Sequence, residues 1–161
     1  MLWFLLTFGL CLLFWLICYM STGTDEKNMK SYGSYPPQVQ KMLRENEKLK
    51  GLIRETSPWK VFLSNVLLFS VILFFLGLPL REKSIFSNFL HILAMGQTLN
   101  AFDFFIMDLI WFRHTKRTRF TGTEEDDRLY RDPGNHFFAF LRGIPAFILV
   151  AVIDGVILSL I

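Results

Sequence analysis

Residues 61–80, with the sequence VFLSNVLLFSVILFFLGLPL, form an uninterrupted run without a charged side chain. A helix rises about 1.5 Å per residue, so a run of this length can cross the roughly 30 Å hydrocarbon core of a bilayer. Residues 1–20 form a second uncharged run of the same kind. The chain of 161 residues is 52% hydrophobic and contains 18 phenylalanines, a composition that excludes an ordinary water-soluble domain. The sequence therefore predicts an all-α integral membrane protein.

Two further apolar segments complete a predicted bundle of four transmembrane helices. The predicted spans are residues 1–20, 59–80, 86–112 and 137–161, and the long connecting segments are residues 21–58 and 113–136. The first span is expected to remain in the mature protein, because no basic residue precedes it as in a cleavable signal peptide.

The lysines and arginines are concentrated in the long connections. Eight lie between residues 27 and 60, seven between residues 113 and 142, and the other two are Arg81 and Lys83, which accounts for all 17. Short loops rich in Lys and Arg stay on the cytoplasmic side of a membrane. We therefore expect a multi-pass protein of the cell membrane, with both long connections in the cytoplasm and both termini outside.

The first long connection contains a predicted amphipathic helix between Pro36-Pro37 and Ser57-Pro58. Apolar residues recur there at helical spacing, namely Val39, Met42, Leu43, Leu49, Leu52 and Ile53. We expect the bases of residues 38–56 to attract anionic lipids of the inner leaflet, with packing against a neighbouring subunit or beneath the bundle as alternatives. The preceding segment, residues 21–35, is polar and is expected to be mobile.

The third span contains polar residues that a lipid-facing helix does not tolerate. Four of them lie within an arc of about 140° on an α-helix and predict one inward polar face: Gln97, Asn100, Asp103 and Asp108. The fourth span adds Arg142 and Asp154. Depth along the helices predicts that Arg142 pairs with Asp108 or Asp103, and that His91 pairs with Asp154 near the outer surface.

Two functional classes follow from these residues, beside the alternative that they only hold helices together. In the leading hypothesis, the chain is a small accessory or solute/ion-handling subunit, whose polar cavity is lined by Gln97, Asn100, Asp103, Asp108 and Arg142. The other is an interfacial enzyme that acts on a lipid head group or an isoprenoid phosphate through Asp103, Asp108, Tyr130 and His136. The chain lacks a phosphate-binding glycine loop, Gly-x-Ser-x-Gly and His-Glu-x-x-His, which places the enzyme second.

The expected partners follow from size and charge. Four helices leave limited room for a permeation path, so we expect a homo-oligomer or a partner membrane subunit. Nucleic-acid binding is not expected, because topology already explains the basic residues. No cofactor and no metal site is predicted, since Glu124, Asp132 and His136 lack the ordered spacing of metal ligands.

Overall fold

The computed structural model describes residues 1–54, 56–123 and 125–161, and every regular element within these ranges is helical. The α-helices are α1 (Leu2–Met20), α2 (Asp25–Met29), α3 (Pro37–Glu45), α4 (Pro58–Gly77), α5 (Ile85–Phe102) and α6 (Gly134–Leu160). A 3₁₀ turn, Leu78–Leu80, extends α4, and a π-helical segment, Asp103–Phe112, continues α5. Other 3₁₀ turns are Tyr32–Ser34, Lys50–Leu52, Lys116–Thr118 and Asp127–Tyr130. The predicted all-α class is confirmed.

Four helical stretches are long and apolar enough to cross a membrane: Leu2–Met20, Pro58–Leu80, Ile85–Phe112 and Asp127–Leu160. They coincide with the four predicted spans to within a few residues, apart from the start of the last one. Pro58 lies in the first turn of α4, where its missing N–H removes no helical hydrogen bond. Pro145, by contrast, lies inside α6.

The chain divides into two compact units. The first unit comprises Met1–Leu12, Thr56–Phe102 and Phe140–Ile161, and the second comprises the described residues of Leu13–Glu55 and Asp103–Ala139.

The helices of the first unit approach closely at glycines. A Cβ atom at Gly155 would lie 3.0 Å from the backbone nitrogen of Phe89, and one at Gly77 would lie 2.8 Å from the side chains of Ile92 and Leu158. Small residues of this kind let two helix backbones approach each other closely.

The second unit has a core formed by the two long connections together with the end of the third span. Eight buried residues form this core, which we call the Tyr35 cluster: Met29, Tyr32, Tyr35, Val39, Leu43, Phe112, Phe120 and Tyr130. The expectation that residues 21–35 are mobile is wrong, because three of these side chains come from that segment and are buried. Polar residues separate these apolar side chains in the sequence, so the composition of residues 21–35 does not indicate that they are buried.

Asn28 ties the two connections together. Its amide is 1% exposed and donates to the carbonyl oxygens of Arg117 (3.2 Å) and Arg119 (3.1 Å), while its Oδ1 accepts from Gly23 N–H at 3.2 Å. Both N–H donors and the oxygen of the side chain are therefore hydrogen-bonded.

The C-terminal end of α1 is capped by two cations. Arg117 Nε donates to the carbonyl of Tyr19 and Lys27 Nζ donates to that of Met20, each at 3.0 Å. The Arg117 guanidinium also lies 4.0 Å from the centre of the Tyr19 ring. Positive groups at this end of a helix satisfy its last carbonyls and oppose the negative end of its dipole.

The amphipathic helix is shorter than predicted. It ends at Glu45, because Asn46 Oδ1 accepts from the N–H groups of Lys48 (3.0 Å) and Leu49 (3.3 Å) and thereby replaces the helical turn. The prediction of one helix over residues 38–56 is therefore wrong. The buried side of α3, Val39 and Leu43, packs in the Tyr35 cluster, while packing of the helix beneath the bundle stays a prediction.

Candidate functional site

The candidate site is a buried pair formed by Asp108 of the π-helical segment and His136 in the first turn of α6. Asp108 Oδ1 lies 2.8 Å from His136 Nδ1, and the side chains are 16% and 8% exposed. The His136 ring contacts Phe112, with ring centres 4.7 Å apart. The sequence analysis named both residues but did not predict that they pair.

The π-helical backbone places Asp103 near this pair. Hydrogen bonds from residue i to i+5 put Asp103 and Asp108 about one turn apart on the same side, whereas an α-helix would separate them by about 140°. Asp103 is close enough to interact electrostatically with both Asp108 and His136. Cys18, from the end of the first span, interacts in the same way with both carboxyl groups. Two carboxyl groups and one imidazole therefore share one site in the second unit.

The second ring nitrogen of His136, Nε2, makes no contact of this kind with any described residue. Nε2 is buried and has no hydrogen-bond partner within the described residues. A carboxylate that accepts a hydrogen bond from Nδ1–H fixes the ring orientation and leaves Nε2 as a lone-pair acceptor. A buried polar atom without a partner costs about 1–3 kcal/mol, so a proton or another ligand bound at Nε2 would remove this cost.

Tyr130 lies in the same unit but is held differently. Its hydroxyl accepts from Phe120 N–H at 3.1 Å and lies 2.6 Å from Thr123 Oγ1, while its ring contacts Phe112 at 6.3 Å. Phe112 thus contacts both Tyr130 and His136. The four residues of the enzyme hypothesis therefore lie in one unit. The Tyr130 hydroxyl, however, is hydrogen-bonded within its own loop.

The buried side chain of Arg119 packs against the ring of Tyr130. Its guanidinium side chain is 1% exposed, lies 4.1 Å from the centre of the Tyr130 ring and forms an ion pair with Asp127 at 3.2 Å. Its Nη2 also donates to the carbonyl of Arg113 at 2.6 Å.

Tyr35, beneath this group, stays neutral. Burial raises the pKa of its phenol well above the usual value, and Tyr130 and Asp25 raise it further. The neutral hydroxyl donates to the carbonyl of Thr118 at 2.9 Å.

Gln97 and Asn100, two residues of the predicted cavity, act as links between helices in the first unit. Gln97 Nε2 donates to the carbonyl of Ile144, and Asn100 Nδ2 donates to that of Phe140, each at 3.1 Å. Gly143 makes this possible, because a Cβ atom there would overlap the Asn100 amide. These two contacts have the form that the helix-linking alternative expected.

Arg142 lies on α6 in the first unit, where it is exposed. Its predicted pairing with Asp108 or Asp103 stays a prediction. Asp108 has another partner, His136, that the sequence analysis did not consider.

The predicted pair of His91 and Asp154 is not formed. Ser70 Oγ donates to Asp154 Oδ1 at 2.5 Å, while Asp154 Oδ2 and His91 Nδ1 are buried without hydrogen-bond partners. The reason lies in helix rotation: Gly155 packs against Phe89, and a residue two positions further along α5 faces a different direction. Depth along a helix was therefore an insufficient guide.

Within the described residues, no group of three or more His, Cys, Asp or Glu side chains has the arrangement of a metal site. Glu124, one of the metal-capable residues of the sequence analysis, lies outside the described residues.

Comparison of the chain with protein-family models, with curated proteins and with solved structures gives no match.

Proposed function

We propose that the chain is a multi-pass membrane protein, inserted through its four long apolar stretches, with both termini outside and the two long connections in the cytoplasm. The lengths of these stretches and the concentration of Lys and Arg in the connections support this topology. A cysteine placed at exposed Ser34 should react with an impermeant maleimide only after permeabilisation, and one at exposed Lys83 should react in intact cells. The reverse labelling would contradict the topology.

We propose further that Asp103, Asp108 and His136 form a proton-binding site in a small ion- or solute-handling subunit. The observation that carries this proposal is the unpartnered Nε2 of His136, whose Nδ1 is held by Asp108. A proton added at Nε2 gives an imidazolium that the adjacent carboxylate stabilises.

The proposed site includes fewer residues than the cavity predicted from the sequence. Gln97 and Asn100 belong to the first unit and donate to α6 carbonyls there, so they are not included in the proposed site. Asp103, Asp108 and His136 remain as the groups of the proposed proton-binding site. Arg142 lies in the first unit, and its place in the cavity stays a prediction.

An interfacial enzyme that acts on a lipid head group or an isoprenoid phosphate is the second candidate. The Asp108–His136 geometry favours it, because a histidine oriented by a carboxylate is also a suitable general base. The engaged hydroxyl of Tyr130 removes one of the groups that this hypothesis needs.

Partners remain proposals that follow from surface composition. The exposed bases Lys41, Lys48 and Lys50, with exposed Met42 beside them, support contact with anionic lipid. A homo-oligomer or a partner membrane subunit would cover part of the apolar surface of the long helices. It would also supply the remaining helices of a permeation path.

Proton movement in proteoliposomes tests the proposed function. The protein is reconstituted with an internal pH-sensitive dye, and a potassium diffusion potential drives protons inward. We expect a proton flux in the wild type that is lost in Asp108→Asn and His136→Gln but kept in the control His114→Gln, a change at an exposed histidine.

The same preparation separates the two candidates. If the Asp108→Asn and His136→Gln variants conduct protons as the wild type does, the proton-handling proposal is wrong. If the wild type shows no proton flux but hydrolyses a phospholipid or polyprenyl phosphate, and the Asp108→Asn and His136→Gln variants lose this hydrolysis, the enzyme hypothesis replaces the proton-handling proposal.

A further inference from the structure

Asp154 of α6 is a second buried carboxyl group, and it belongs to the first unit. It is 0% exposed, and the only hydrogen bond described for it comes from Ser70 of α4 at 2.5 Å. Its other oxygen, Oδ2, is buried without a partner. No Lys, Arg or His nitrogen among the described residues lies within ion-pair distance of it.

Both residues lie well inside their helices. Ser70 precedes the end of α4 at Gly77 by about 10 Å of helix, and Asp154 precedes the end of α6 at Leu160 by about 9 Å. In a chain that spans the bilayer through these helices, this depth lies within the hydrocarbon region.

Among the described residues, no positively charged side chain pairs with the Asp154 carboxyl group. Gly155, next to Asp154, packs against the Phe89 backbone of α5, and Ser70 is the polar group that α4 directs to the carboxyl. The nearest titratable candidate on α5, His91, has a buried Nδ1 without a partner and no hydrogen bond to Asp154.

An ionised carboxylate in such a place is strongly disfavoured unless a positive charge accompanies it. We propose that Asp154 and Ser70 form a site for a small monovalent cation, either a proton on Oδ2 or a sodium ion among the oxygens. Carboxylate and hydroxyl oxygens are suitable ligands for either ion. This site goes beyond the proposed function, because it shares no residue with Asp103, Asp108 and His136.

Infrared spectroscopy of the full-length protein in lipid vesicles tests the proposal. The spectrum of Asp154→Asn is subtracted from that of the wild type in sodium-free choline buffer. We expect one carbonyl-stretch band of a protonated carboxylic acid per chain, which shifts in deuterated water. If the site also takes sodium, added sodium chloride removes the band in proportion to occupancy, whereas a proton-only site is unaffected.

A difference spectrum without such a band at any pH, with or without sodium, would overturn the proposal, because it would show an ionised carboxylate with no bound cation. Ser70→Ala keeps the test valid if Asp154→Asn fails to fold. Loss of the Ser70 hydrogen bond should then move the same band to higher frequency, and an unchanged spectrum would count against the site. Asp108→Asn should leave the band in place, so failure at one site is distinguishable from failure at the other.

Discussion

Gly143 should be a position at which a single methyl group destabilises the protein. A Cβ atom there would overlap the Asn100 amide, so the substitution Gly143→Ala must either separate α5 from α6 or break the hydrogen bond from Asn100 to Phe140. An interhelical hydrogen bond in a membrane contributes about 0.6 kcal/mol on average, and overpacking costs about 1–3 kcal/mol. Alanine recovers up to about 1 kcal/mol of helix propensity. We expect a loss of about 1–3 kcal/mol relative to a Gly→Ala change that makes no overlap, and of up to about 2 kcal/mol relative to the wild type.

The assay is reversible unfolding in mixed micelles of a mild detergent and sodium dodecyl sulfate, followed by circular dichroism. Gly9→Ala is the matched control, because Gly9 lies in α1 with nothing within 4 Å of the added methyl group. It should be neutral or slightly stabilising. In Gly143→Ala combined with Asn100→Ala, the overlap disappears, so the two costs should not add. Equal stability of Gly143→Ala and Gly9→Ala would refute the argument.

Two further substitutions test the second unit. Asn28→Ala removes two hydrogen bonds that join the two long connections and a third within the first connection, and it should destabilise this unit by about 2–4 kcal/mol. Limited proteolysis should then cut residues 21–54 faster, whereas exposed Gln38→Ala should be cut like the wild type. Tyr35 has a raised pKa in the folded protein, so its contribution to stability is complete below pH about 10 and declines as the pH rises above that value. Tyr35→Phe should weaken this alkaline loss in a pH series of unfolding curves, and the same loss in Tyr35→Phe as in the control Tyr19→Phe would contradict it.

Much of the fold is predictable from the sequence because membrane crossing needs only length and apolarity. Residues 61–80 and 1–20 satisfy both requirements without reference to any other part of the chain, and they correspond to α4 and α1. The connections were harder, since Met29, Tyr32 and Tyr35 are isolated among polar residues and acquire a core only when residues 112–130 supply the rest of it.

The candidate site was predictable in composition but not in geometry. Asp103 and Asp108 stand out because charged groups in apolar segments require a reason, whereas His136 lies in the predicted connection and was named only for its chemistry. Their arrangement depends on the π-helical segment, which changes the angular spacing that an α-helical reading assumes. Ser70 was missed because a single serine is ordinary in a spanning helix and carries no signal of its partner.

The protonation pattern of His136 tests the central claim most directly. Nitrogen NMR of protein labelled only at histidine gives one pair of ring signals for each of the three histidines, and His136→Gln identifies the pair that belongs to His136. The account predicts that neutral His136 carries its proton on Nδ1, with Nε2 bare, and that Asp108→Asn changes these signals while leaving those of His114 unchanged. A neutral His136 protonated on Nε2, or signals indifferent to Asp108→Asn, would contradict the account.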